Sequence, residues 1–201
     1  MDLYKFSAKI FCEASDEFRL EELIPIFHRW IQNDELDGVL LIDVADYSHV
    51  PDGPGLMLIA HEAHYSMDES GGRLGMVYNR KRPFDGDLTG ILTRVCRQTL
   101  LTCQRLEKEP ALAGRLSFAT DRLLLTAVDR LLAPNTPQTR QTLEPAIGQL
   151  FDGIYAGDDY TLEYQSDPRE LFSVTATAGQ AAPLDTLLSR LGRKARSSSG
   201  K

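Results

Sequence analysis

Apolar positions recur along this chain in two rhythms, one of period two and one of period three to four. Lys5–Glu13 alternates loosely and reads as a strand. Leu20, Leu23, Ile24, Phe27 and Ile31 then form a helical stripe, and Pro25 fits only a first turn, so the regular helix is predicted to start near Leu23. Val39–Asp46 is a β-run closed by the turn cluster Ser48-His49-Val50-Pro51-Asp52-Gly53-Pro54-Gly55. Leu56–Met67 and Leu74–Lys81 are expected as two strands joined through Ser70-Gly71-Gly72. The longest helical stripe runs over Asp87–Lys108 through Leu88, Ile91, Leu92, Val95, Thr99, Cys103 and Leu106.

Strand signals resume at Leu116–Ala119 and Leu123–Val128, with Thr120-Asp121-Arg122 read as the break between them. A third helix carries Leu143, Ile147, Leu150, Phe151 and Ile154, entered through Thr136 as N-cap and Pro137 at the first helical position. Strands at Tyr160–Gln165 and Leu171–Ala178 and a short helix through Leu184, Leu187, Leu188 and Leu191 complete the pattern. Shifting the chain so that Leu23 falls on Leu143 also brings Ile31 onto Phe151 and Leu40–Asp43 onto Tyr160–Glu163. The expected fold is therefore α+β: a single domain over residues 1–192, made of two related β-α-β-β halves (5–67 and 123–178) linked by the helix 87–108. The halves would form one largely antiparallel sheet with helices packed on it, followed by a disordered basic tail, 193–201.

Composition adds little to this except through its distribution. With 42% hydrophobic and 25% charged residues the chain reads as ordinary globular material. The net charge of −7 is uneven: residues 1–70 hold 15 acids against 4 Lys/Arg, whereas 71–130 hold 6 against 11. An acidic first third argues against a nucleic-acid surface there. No apolar run approaches the ~20 residues of a membrane span, and Met1-Asp2-Leu3-Tyr4-Lys5 does not begin a secretory leader, so a cytoplasmic protein is expected. The three cysteines contain no CxxC. Cys96 and Cys103 stand about 10 Å apart along one helix, too far to bridge, and all three are expected as buried thiols.

Several strings in the chain are distinctive, among them His28-Arg29-Trp30-Ile31-Gln32, Leu41-Ile42-Asp43-Val44-Ala45-Asp46-Tyr47, His61-Glu62-Ala63-His64-Tyr65, Tyr78-Asn79-Arg80-Lys81 and Ser166-Asp167-Pro168-Arg169-Glu170. They resemble a family of uncharacterised bacterial proteins of about this length. The resemblance spans nearly the whole chain and implies a bacterial, cytoplasmic protein. It implies no activity, ligand or catalytic residue.

The sequence holds no GxGxxG after a strand, no GxxxxGK[ST], no GxSxG, no HExxH and no EF-hand loop. Its chemistry is concentrated in the first third, which holds all four histidines, His28, His49, His61 and His64. In a continuous strand over 56–67, Glu62 and His64 would share one face, with Arg80 on the neighbouring strand and Asp46 and His49 nearby. A ligand site is therefore expected around Asp46, His49, Glu62, His64, Tyr65 and Arg80, with the second half, which lacks histidine, serving as scaffold. Such a cluster suits a non-catalytic module for a small molecule or a protein partner. The alternative is an enzyme using the same His/Glu/Asp groups for proton transfer, with or without a metal. Plain cross-strand charge pairing is the structural competitor for Glu62 and Arg80. No cofactor is identifiable from the sequence.

Overall fold

A computed structural model describes residues 3–197, with side chains described through Gly192. Eight strands form one antiparallel sheet: β1 (Phe6–Ala14), β2 (Leu41–Tyr47), β3 (Gly55–Ala60), β4 (Ala63–Asp68), β5 (Gly75–Arg80), β6 (Leu116–Ala127), β7 (Tyr160–Tyr164) and β8 (Ser173–Ala178). Their order across the sheet is β2-β3-β4-β5-β1-β6-β8-β7. Among the described residues four α-helices accompany them: α1 (Leu23–Gln32), α2 (Leu88–Glu107), α3 (Pro137–Tyr155) and α4 (Leu184–Ser197). The expected α+β class holds. The basic segment from 193 continues α4 as far as Ser197, and the remainder of the expected tail, 198–201, lies outside the described residues.

The helix boundaries follow from local chemistry. The Asp87 carboxylate accepts from the Gly90 amide at 2.8 Å, and the Thr136 hydroxyl accepts from the Thr139 amide at 3.3 Å, each satisfying an orphan donor of the first turn. Pro25 and Pro137 sit in first turns, where no intrahelical N–H is required. The apolar stripe of α2 buries Leu92, Val95, Leu100 and Leu106 completely against β1, β5 and β6, while α3 and α4 pack along its flank and α1 covers β2 and β3. On β8, Val174, Ala176 and Ala178 are buried and Ser173, Thr175 and Thr177 are partly exposed, the alternation of a sheet covered on one side.

Two strand boundaries differ from expectation, and the strand count is the same only because the differences offset. Leu56–Met67 is not one strand: His61 and Glu62 form the two-residue turn of a hairpin, with Ile59 opposite His64. Leu116–Ala127, by contrast, is one strand. Thr120-Asp121-Arg122 marks a bulge in it, where Ile10 to Cys12 of β1 oppose Phe118 to Leu123 of β6. Polar residues there reflect a local break in the ladder rather than a chain reversal.

The sheet does not follow the 120-residue correspondence that places Leu23 on Leu143. In that shift β2 and β3 match β7 and β8, yet β8 bonds directly to β6 while β3 is separated from β1 by β4 and β5. The strands that mirror each other about the β1–β6 pair are β5 with β8 and β4 with β7, which leaves β2 and β3 as an additional edge hairpin. Cys12 is half-buried, Cys96 and Cys103 are buried, and all three are free thiols. Burial pushes the Cys12 and Cys96 thiols up to about 12, so they stay protonated at neutral pH.

Candidate functional site

The β3–β4 turn determines which of the expected residues can meet. The chain reversal at His61-Glu62 sets residues of opposite sequence parity on one face: Leu56, Leu58 and Ala60 point to the helices, and so do Ala63, Tyr65 and Met67. His64 consequently faces the opposite side of the sheet, between Ile59 and Asn79. It is half-buried there, and its Nδ1 atom has no hydrogen-bond partner among the described residues. Asp46 lies at the other end of β2, opposite Leu56, where its carboxylate accepts from the Ser48 amide and hydroxyl. His49 follows it in an exposed turn. Four residues of strand, roughly 13 Å, separate this end from the level of Arg80. Of the six expected site residues, Glu62, Tyr65 and Arg80 come together. His64, Asp46 and His49 do not join them.

Those three meet around a cavity of about 240 Å³ on the helix-covered side. Glu62 pairs with Arg80 at 2.7 Å. Arg80 is buried (6% exposed), donates from Nε to the Arg82 carbonyl at 2.6 Å, and stacks its guanidinium 3.7 Å from the Phe84 ring centroid. Tyr65 and Tyr78 stand opposite each other on β4 and β5 in an edge-to-face pair 5.1 Å apart. Burial raises the pKa of both phenols, although a hydrogen bond from Arg80 partly offsets the effect at Tyr78. Both remain neutral O–H groups at physiological pH. Gln98 of α2, the Asp37–Leu40 segment and His61 close the walls. Neither the Tyr65 hydroxyl nor the Gln98 side-chain amide makes a hydrogen bond with any described residue.

The cavity opens into a wider groove of about 820 Å³ between α1, the loop after it and α2, with Asp37, Val39 and Gln98 lining both. Its floor is a charge network. The buried Glu109 carboxylate accepts from Trp30 Nε1 at 2.7 Å and from Arg29 at 2.6 Å, and Glu35 accepts from Arg29 at 3.1 Å and Arg105 at 3.0 Å. The guanidinium of Arg105 accordingly holds the Glu35 carboxyl below its ordinary range. Trp30 is wholly buried and serves the core, with its indole N–H satisfied. Arg97 also lines the groove, and its exposed guanidinium is unpaired among the described residues.

Tyr78, Phe84, Gln98 and Arg97 were not among the residues the sequence singled out. The Tyr65–Tyr78 pair was accessible in principle from the register of the β4–β5 hairpin. Gln98 and Arg97 gave no signal, because a polar residue on a helix flank looks like any solvated position. No group of three or more His, Cys, Asp or Glu able to hold a metal ion occurs among the described residues.

His64 makes its own pH prediction. Burial and the nearby Lys81 ammonium lower its pKa in the fold, so the unfolded chain takes up the proton first as pH falls through about 6.5. Acidification from pH 7 to 5 should therefore destabilise the wild type more than His64→Gln. Parallel urea titrations across that window check this, and equal slopes would show that His64 does not sense the proton.

Comparison with known protein families and with curated proteins finds no match.

Proposed function

We propose that the protein is a non-catalytic binding module whose small polar ligand seats in the cavity between Tyr65, Arg80 and Gln98. The observation that carries this reading is the convergence of unused hydrogen-bonding groups in one concave place. The Tyr65 hydroxyl and the Gln98 amide have no partner among the described residues, and neither is sealed in the core, so both stay open to a ligand in the cavity. Tyr65, Tyr78, Arg80 and Gln98 offer donors, and Glu62 and Asp37 offer acceptors on the rim. A ligand bearing carbonyl, hydroxyl or carboxylate oxygens suits that set.

Binding is favoured over catalysis because the expected acid–base cluster is dispersed. His64 faces away, Asp46 and His49 lie at the far end of the strands, and of the histidines only His61 reaches the cavity, from an exposed turn. The Arg80 guanidinium is already held by Glu62, Phe84 and backbone carbonyls, which suits a fixed recognition group.

A protein-observed NMR screen with small carboxylates, polyols and sugar phosphates tests the proposal. Binding compounds are expected to shift the amides of Val39, Ala63, Arg80 and Gln98. Tyr65→Phe should weaken the best of them by about fivefold, the worth of one neutral hydrogen bond at roughly 1 kcal/mol. Shifts confined to other parts of the sheet, or undiminished binding by Tyr65→Phe, would refute it.

A further inference from the structure

The cavity and the groove it opens into are lined by charged side chains of both signs, and most of these charges are spent within the chain. Arg80 holds Glu62 at 2.7 Å, Arg29 holds Glu109 at 2.6 Å, Arg105 holds Glu35 at 3.0 Å, and the Lys108 ammonium lies 3.9 Å from Asp185. Two lining charges are left over, Asp37 and Arg97. Neither side chain makes an ion pair or a hydrogen bond with any described residue. They are of opposite sign.

Both stand where the cavity meets the groove. Asp37 lines the two spaces, and Arg97 lines the groove directly beside Gln98, which lines the two as well. Each is carried by a fixed piece of backbone. The Val39 amide donates to the Leu36 carbonyl at 3.0 Å, closing a turn in which Gly38 takes φ of 70° and Asp37 occupies the corner. Arg97 rises from the middle of α2. An exposed, unpaired charge alone is an ordinary solvated group. One of each sign at the mouth of a cavity that holds uncharged donors and acceptors is a more specific arrangement.

We propose that the ligand is a free α-amino acid with an uncharged polar side chain. Its ammonium group would sit on the Asp37 carboxylate, its carboxylate on the Arg97 guanidinium, and its side chain in the cavity against the Tyr65 hydroxyl and the Gln98 amide. This inference rests on the binding function proposed above and names the class of molecule bound. A guanidinium fork matches a carboxylate, and a carboxylate accepts from an ammonium, so a zwitterion uses both leftover charges where a simple anion or cation uses one. The side chain is uncharged because Arg80 and Glu62, the charges deeper in the cavity, already neutralise each other.

The full chain titrated by NMR with the polar L-amino acids tests the proposal, each compared with its des-amino and decarboxylated analogues. For L-glutamine these are glutaramic acid and γ-aminobutyramide. Removing either charge from the best ligand is expected to weaken binding by about tenfold, the worth of a charge-assisted hydrogen bond. Asp37→Asn should abolish the preference over the des-amino analogue alone, and Arg97→Gln the preference over the decarboxylated one alone. Both side chains are exposed and unpaired, so the melting temperature should be unchanged in either variant. Analogues that bind as well as the amino acid, preferences that survive both substitutions, or polyols that shift the cavity amides where amino acids do not would each overturn the zwitterion and leave the cavity standing. No shift at Val39 or Gln98 with any of these compounds, or with the carboxylates, polyols and sugar phosphates, would overturn both.

Discussion

Asp68→Ala is expected to destabilise the fold by about 3–5 kcal/mol, because it strands a buried ammonium. Lys9 lies in the middle of the sheet at 4% exposure and donates to the Asp68 carboxylate, with the Ser70 carbonyl at 3.1 Å and the Ser70 hydroxyl at 3.3 Å completing its shell. The lysine stem runs over Gly75, where a Cβ would sit only 2.7 Å from Lys9 Cε. The cost arises from desolvating one charge without its partner rather than from the worth of the pair itself. Replacing both partners with apolar residues should therefore recover most of the loss, and Lys9→Met/Asp68→Leu is expected to come within about 1–2 kcal/mol of the wild type. Urea denaturation of the two variants decides the matter. A loss below about 1 kcal/mol for Asp68→Ala, or a double variant no better than the single one, would show that solvent already reaches the ammonium.

Gly55→Ala is the second large effect, with an expected loss of about 3–4 kcal/mol from combined backbone strain and steric overlap. Gly55 has φ of 62°, in the left-handed region, and a Cβ there would overlap the Met67 carbonyl oxygen of the neighbouring strand. Neither the sheet backbone nor the positive φ can yield without breaking the Leu56–Met67 register. Gly71 is the control. Its φ is 71° but nothing lies within 4 Å of its would-be Cβ, so Gly71→Ala should cost only about 1 kcal/mol. Thermal melts of the two variants separate the explanations: equal losses would mean that φ alone matters and that the close approach of β3 to β4 is relieved by a small backbone shift.

The second prediction also shows where the sequence stopped being legible. The Pro51-Asp52-Gly53-Pro54-Gly55 cluster announces a turn, and the left-handed glycine that closes it is a local requirement readable without coordinates. The hairpin immediately after it left no such mark. Leu56-Met57-Leu58-Ile59-Ala60 is apolar on both faces, so no alternation existed to be interrupted at His61-Glu62. The one trace is a change of parity, from Leu56, Leu58 and Ala60 to Ala63, Tyr65 and Met67. A continuous strand would put His64 beside Glu62, whereas the two-residue turn sends it to the opposite face and brings Tyr65 and Arg80 to the cavity.

By itself the sequence determined the elements whose causes are local. The stripes of α1, α2 and α3 repeat within a few residues, and Asp87, Thr136 and Pro137 satisfy or remove donors of their own first turns. Only the tertiary structure decided the rest. Which strand lies beside β1 depends on hydrogen bonds between segments dozens of residues apart, so a similarity along the chain between β2–β3 and β7–β8 did not translate into equivalent places in the sheet. The cavity is decided the same way. Gln98 lines the same cavity as Tyr65 and Arg80 because α2 packs against β5, and no local pattern records where two packed elements will meet.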